Sequence, residues 1–252
     1  MIDTHAHLDN EQILPNITDI AQRAQNQGVK NIIIPNVDIH TIDNVLMLQD
    51  KYTNYCYAMC GLHPCHVKSD YNQQLQTLKV YLKKHKFCAI GEIGLDLYWD
   101  KSLKYEQIAA LKVQMDWAQE YQLPVALHTR NATDEVLDIV KDYNVKGVFH
   151  CFSGTYEQAI KVMDMGYYLG MGGVVTFKNS GLDILLAKIG INNVVLETDS
   201  PYLAPIPHRG KTNEPSYLTF VAQKIADILQ IPIEEVVNTT SHNAKLLFDL
   251  PH

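Results

Sequence analysis

Apolar and polar positions recur along this chain in a regular rhythm. Short apolar or β-branched runs stand at Ile2–Thr4, Asn31–Pro35, Tyr55–Cys60, Phe87–Ile90, Pro124–Leu127, Gly147–Phe149, Tyr167–Met171 and Asn193–Leu196. Between them lie stretches with helical spacing. In one, Tyr105, Ile108, Leu111, Met115, Ala118 and Tyr121 recur at steps of three and four, which predicts a helix with both tyrosines in the core. Another opens on Thr155-x-x-Gln158, the pattern of a reciprocal helix cap. Gly28 and Gly166 precede the second and seventh runs, where helices commonly end.

Eight strands alternating with helices predict a single-domain (β/α)8 TIM barrel over residues 1–252. The main competitor is an open doubly wound sheet, which usually binds phosphate on a Gly-rich first turn. Here the first run leads into Thr4-His5-Ala6-His7 instead. Gly170-Met171-Gly172-Gly173 comes late and lacks the third glycine of a dinucleotide fingerprint, and no P-loop occurs. The pattern favours the barrel.

Composition narrows the class further. With 46% apolar residues the chain can bury a large core, which excludes a disordered protein. Its 28 acidic and 21 basic side chains give 21 − 28 = −7. That balance argues against coating nucleic acid through bulk charge, but leaves room for a local cationic site. No apolar run approaches the roughly 18 residues that span a bilayer. The strand-like start directly after Met1 leaves no room for a signal peptide. Cys56, Cys60, Cys65, Cys88 and Cys151 are odd in number and form no C-x-x-C, so a reducing cytoplasm is the expected compartment. The sequons at Asn16, Asn131 and Asn238 are then chance.

Barrel enzymes draw their reactive groups from the C-terminal ends of the strands. The first predicted strand ends in His5 and His7, the third in His63 and His66, and the fourth in Glu92 and Asp96. The fifth ends in His128, the sixth in His150 and the eighth in Asp199. Any one of these alone reads as a hydrogen-bonded histidine or carboxylate. Together on one rim, several would be left desolvated and unpaired, at about 1–3 kcal/mol each, unless a cation joins them. His5 and His7 are two apart, so both rings face one side. Closure makes the eighth strand a neighbour of the first, which brings Asp199 to the same ion. His128 and His150 end adjacent strands and can share a second ion, with Glu92 between the two. Such ligands suit Zn, Mn, Ni, Co or Fe and, with more water, Mg. Two cations would activate a water and clamp both ends of a displacement.

Several segments carry a resemblance. Asp3-Thr4-His5-Ala6-His7-Leu8-Asp9, Gly61-Leu62-His63-Pro64, Gly91-Glu92-Ile93-Gly94-Leu95-Asp96 and Leu127-His128-Thr129-Arg130 are similar to motifs of the TatD-type metal-dependent deoxyribonucleases. So are His150-Cys151-Phe152-Ser153-Gly154, Glu197-Thr198-Asp199-Ser200-Pro201-Tyr202-Leu203 and Arg209-Gly210-Lys211-Thr212-Asn213-Glu214-Pro215. The match runs from residue 3 to about Phe248. Cys65, after His63-Pro64, stands where members of the family vary. The resemblance implies an amidohydrolase-like TIM barrel that hydrolyses phosphodiesters in DNA, often as an exonuclease. It also implies a first metal on His5, His7, Glu92 and Asp199, and a second on Glu92, His128 and His150.

Around that centre, His63, Arg130, Arg209 and Lys211 are candidate phosphate donors, and Asn213 can donate through its amide. Arg130 has an alternative in a salt bridge to Asp134, and Arg209 and Lys211 in a solvated loop. His66 reads as a surface loop residue and Asp96 as a residue that orients others. Asp199 can orient the attacking water and take its proton, although cations facing it would make it a weak base. Tyr98, Trp99, Phe152 and Tyr202 flank the rim, and loop packing is the favoured account over base stacking. Strand alternation turns Cys151 away from His150 and makes it a buried structural thiol. Ser153 lacks the G-x-S-x-G elbow of a serine hydrolase. The expected partner is DNA, as single strands or ends, with little sequence preference, and a monomer is the default. The alternative is a metal-dependent hydrolase of an amide, ester or lactone. A non-catalytic metal protein is disfavoured, because structural zinc sites are usually closed and often thiolate-rich.

Overall fold

The computed structural model describes residues 1–99 and 101–251. Eight parallel strands follow one another around a barrel in chain order: β1 (Ile2–Asp3), β2 (Asn31–Ile34), β3 (Cys56–Cys60), β4 (Ala89–Asp96), β5 (Val125–Arg130), β6 (Gly147–Phe149), β7 (Tyr168–Met171) and β8 (Val194–Leu196). Ladder pairing joins each strand to the next. The seam between β8 and β1 is closed by backbone groups at and just beyond the strand ends. Thr4 N–H donates to Leu196 O (2.9 Å), Asp199 N–H to His5 O (2.9 Å), and His7 N–H to Ser200 O (2.8 Å). An isolated bridge pairs Ala6 with Ser200. The eight predicted strands are all present and differ mainly at their ends. The fourth and fifth run on to Asp96 and Arg130, where an apolar-run criterion stops short because their C-terminal halves carry the polar residues of the rim.

Nine α-helices are found among the described residues. Those used below are α1 (Ile17–Asn26), α4 (Lys104–Tyr121), α6 (Tyr156–Asp164) and α9 (Ile233–Phe248). The cap on α6 forms in both directions: Thr155 Oγ1 accepts from Gln158 N–H, and Gln158 accepts from Thr155 N–H. Gly28 and Gly166 follow helices at φ 81° and 78°, conformations that glycine adopts without a Cβ penalty.

Two apolar layers hold the barrel. Ile2, Ile33, Met59, Ala89, Ala126, Val148 and Val195 fill the interior, closed below by Ala244, Leu247 and Phe248 of α9. Ile32, Ile34, Ile90, Leu127, Phe149, Leu169 and Leu196 face outward onto the helices. With the interior filled below, the open end at the strand C-termini is left for chemistry.

One expectation is corrected in α4. Tyr105 is 82% exposed, because it lies in the first turn, off the face that meets the strands. That face instead buries Gln107, Ala110, Leu111, Gln114, Met115, Trp117 and Ala118. Both glutamines are used to satisfy backbone. Gln107 Oε1 accepts from Asp96 N–H (2.9 Å), and Gln114 holds both backbone polar groups of Leu62 (2.6 and 3.3 Å). Polar residues inside the stripe are why periodicity misplaced its centre.

Candidate metal centre

β4 carries Glu92 into the mouth of the barrel, where its side chain is 2% exposed. The register against β5 shifts between Ile90 and Ile93, and the Gly91–Glu92 peptide is cis. The two carboxylate oxygens divide the surrounding imidazoles. Oε2 lies 3.1 Å from His5 Nε2 and 3.6 Å from His7 Nε2. Oε1 lies 2.8 Å from His128 Nδ1, 3.0 Å from His150 Nε2 and 3.3 Å from His63 Nε2. Asp199 Oδ1 completes the first group at 3.5 Å from His7 Nε2 and 3.9 Å from His5 Nε2. The bridge at Ala6 preserves the alternation that aims His5 and His7 together, although β1 itself ends at Asp3.

The far side of each ring shows what it offers the centre. His128 Nε2 meets Asp96 Oδ2 at 3.0 Å, and His150 Nδ1 faces Glu197 Oε1 at 3.4 Å. Protons placed on those far nitrogens leave two lone pairs aimed at one oxygen of Glu92. That arrangement is repulsive unless each ring takes a second proton or a cation lies between. His63 differs, since its Nδ1 accepts from Cys65 N–H at 3.0 Å, so its proton sits on Nε2 and points inward. His63 is therefore a donor to the centre, whereas His128 and His150 are suited to hold a cation. The nearly parallel His5 and His150 rings, 3.9 Å apart, likewise place two nitrogen donors side by side. Three sets of three side chains, His5–His7–Asp199, His5–Glu92–His150 and His63–Glu92–His128, each bring possible ligand atoms within 4.8 Å of one another, although in the third the inward Nε2 of His63 carries the proton. The residues present fit a divalent-cation site of mixed imidazole and carboxylate ligands.

Burial is the largest influence on every ionisable group here, and neighbours decide the outcome. It lowers His5, and it pushes His63 down to about 4. For Glu92 burial is outweighed by His150, His63 and His5, which hold the carboxyl well below its usual range. His150 is raised well above its ordinary value by Glu92 and Glu197 against the same burial, and His128 is raised by Asp96 and Glu92. Asp199 is lowered despite burial, through His7 and His150. Carboxylates with lowered pKa and imidazoles with raised pKa thus stand close together in a largely buried mouth.

Supporting residues complete the rim. Glu197 is fully buried, accepts Cys151 N–H (2.5 Å) and backs His150. It has room because Gly170 stands opposite, where a Cβ would meet Glu197 Oε2. Sequence reasoning gave Glu197 no role, although it lies two residues from Asp199 as His5 does from His7. Asp3 accepts both Thr198 N–H (2.9 Å) and Oγ1–H (2.6 Å) and ties the seam beneath the site.

The outer candidates separate. Arg209 and Lys211 line a cleft of about 420 Å³ that runs past Pro201 and Phe177, with the Arg209 guanidinium 3.8 Å from the Phe177 ring centre. Arg130 makes no pair with Asp134, which is taken by Gln158 and Lys161, and lies over Tyr98 instead. Asn213 is corrected. It is fully buried, and its amide donates to Thr198 O and Tyr202 O (both 2.7 Å) while its oxygen accepts Glu214 N–H (2.9 Å). Both donor hydrogens hold the loop after β8, so none is left for substrate. His66 pairs with Asp38 at 2.6 Å in the loop after β3. Cys151 lies beyond the end of β6 at φ 47°, with its thiol pushed up by burial, and is no nucleophile. Phe152 is packed, as expected, but Tyr98, Trp99 and Tyr202 are 51%, 72% and 49% exposed.

A parallel barrel whose open end gathers histidines around a shared carboxylate defines a metal-dependent hydrolase of the TIM-barrel class. The comparisons narrow it: residues 2–249 match the TatD related DNase family, and the chain belongs to it. It is 38% identical to the uncharacterized metal-dependent hydrolase YabD of Bacillus subtilis, over 98% of each chain. Identity to the uncharacterized metal-dependent hydrolase YcfH of Escherichia coli K12 is 31%, over 99% of this chain and 96% of that one. The crystal structure of YjjV, a TatD homolog from E. coli K12, superposes with a TM-score of 0.91 at 30% identity, covering 100% and 98%.

Proposed function

We propose that this protein hydrolyses phosphodiester bonds in DNA, at single strands or ends, with two divalent ions of the Zn, Mn, Mg, Ni or Co type. The first would be held by His5, His7, Glu92 and Asp199, the second by Glu92, His128 and His150. The observation that carries this reading is the division of Glu92, one oxygen toward each group of imidazoles, together with a cleft lined by Arg209 and Lys211 that reaches Pro201, two residues from Asp199. Divalent ions there supply Lewis acidity, lowering the pKa of water from roughly 16 towards about 7 and offsetting charge on phosphoryl oxygens.

The chain's own groups do the rest. Asp199, partly exposed at the rim, orients the attacking water and takes its proton as oxygen bonds to phosphorus. The P–O bond to the leaving sugar breaks, and solvent protonates that oxygen. His63 donates its Nε2–H to a phosphoryl oxygen, a role fixed by the Cys65 N–H that occupies Nδ1. Arg209 and Lys211 hold the neighbouring phosphates. A panel of single-stranded DNA, mononucleotide diesters and small amides, run with added metal and again after chelation, tests the assignment. Cleavage of DNA that chelation abolishes supports it. Turnover of amides, esters or lactones without any phosphodiester cleavage overturns it.

A further inference from the structure

Tyr98 and Trp99 expose large aromatic surfaces directly beside the centre, yet their backbone is anchored. Asp96 Oδ1 accepts the N–H groups of Tyr98 (3.0 Å) and Trp99 (3.4 Å), while its Oδ2 meets His128 Nε2 (3.0 Å). One carboxylate therefore fixes both an inward-facing histidine and an outward-facing aromatic pair. Arg130, two residues beyond His128 on β5, lies over both rings, with its guanidinium carbon 4.0 Å from the Tyr98 centroid and 5.2 Å from that of Trp99. The two rings meet edge to face at 4.8 Å and 88°. The nearby acids Asp134 and Glu135 pair with Lys161 and Lys104, so among the described residues no carboxylate neutralises Arg130.

Building on the phosphodiesterase reading, we propose that Tyr98, Trp99 and Arg130 form a nucleobase subsite. Trp99 stacks on the base of a nucleotide flanking the scissile bond, and the free edge of Arg130 binds that nucleotide's phosphate. The chemistry points to a base. A flat π surface kept in water, next to a planar cation that no described carboxylate pairs with and joined through Asp96 to the hydrolytic centre, matches a ligand with an aromatic face and an adjacent anion. Stacking of this kind tolerates any base, which fits a site that reads backbone and ring but not sequence.

The test compares two strands of equal length and charge on the metal-loaded protein: a phosphorothioate-linked oligothymidylate, which resists cleavage, and its abasic counterpart. Trp99→Ala should weaken binding of the base-bearing strand about 5- to 150-fold, the range of one lost stacking contact. Binding of the abasic strand should change less than about twofold, and Trp99→Phe should restore most of the loss. If the wild type binds both strands equally and Trp99→Ala changes neither, the subsite is wrong while the phosphodiesterase reading stands. If neither strand binds the wild type, the DNA reading fails and the subsite falls with it.

Discussion

Glu92 divides the mouth into two groups of donors, and the residues behind the rings keep each ring in place. Glu197 is the sharpest case, being buried, backing His150 Nδ1, and holding Cys151 N–H as well. Glu197→Gln keeps the shape but removes the charge behind His150. It should weaken metal binding about 10- to 100-fold, read by titration against a chelating dye, with the fold unchanged by circular dichroism. The side chains gathered around Glu92 were legible in the sequence because each stands at or near a predicted strand end. Glu197 was not, since nothing local marks a buried carboxylate whose space comes from Gly170 on the neighbouring strand. Asn213 misled for the opposite reason. Polar residues in a mouth loop resemble donors, and only the fold shows that both its hydrogens satisfy backbone.

Strands place these residues, and loops after them must be held to keep the rim in shape. The loop after β8 is tied back to α1 by Arg23, which donates to both oxygens of Glu214 at 2.9 and 2.6 Å, with Ser216 donating to the same carboxylate. Glu214 is held below its ordinary value of 4.5. Burial opposes this, but Arg23 and Ser216 outweigh it. A depressed carboxyl pKa stabilises the fold fully above the unfolded value and ceases to do so as pH falls through the folded one. Glu214→Gln should therefore cost about 1 kcal/mol in denaturant unfolding at neutral pH, a modest amount because Arg23 is half exposed. The difference from wild type should shrink as pH falls below 4.5 and on through the depressed folded-state value. Element order and the barrel were legible because eight apolar runs alternate with helical spacing. The C-terminal halves of β4 and β5 were not, because site residues replace the apolar pattern where those strands continue.

Across the whole molecule, the −7 net charge and the few cations at the mouth set how DNA would be met. With Arg130, Arg209 and Lys211 as the phosphate contacts, affinity for single-stranded DNA should fall about 10- to 20-fold between 50 and 200 mM salt, a log–log slope of about −2. Arg209→Ala should flatten that slope by about one unit. A salt-independent affinity would remove phosphate contacts as its source. Membership of the TatD related DNase family and the 0.91 superposition on YjjV define the architecture, and the chain's relatives YabD and YcfH are named metal-dependent hydrolases. The proposal that one carboxylate, Glu92, serves two ions is the centre of the account. Equilibrium dialysis with elemental analysis, run alongside single-stranded DNA cleavage on the same preparations of wild type and Glu92→Gln, tests it most directly. Two ions per wild-type chain, with both ions and cleavage lost in the variant, is the predicted result; a Glu92→Gln protein that keeps two ions and cleaves at the wild-type rate would contradict it.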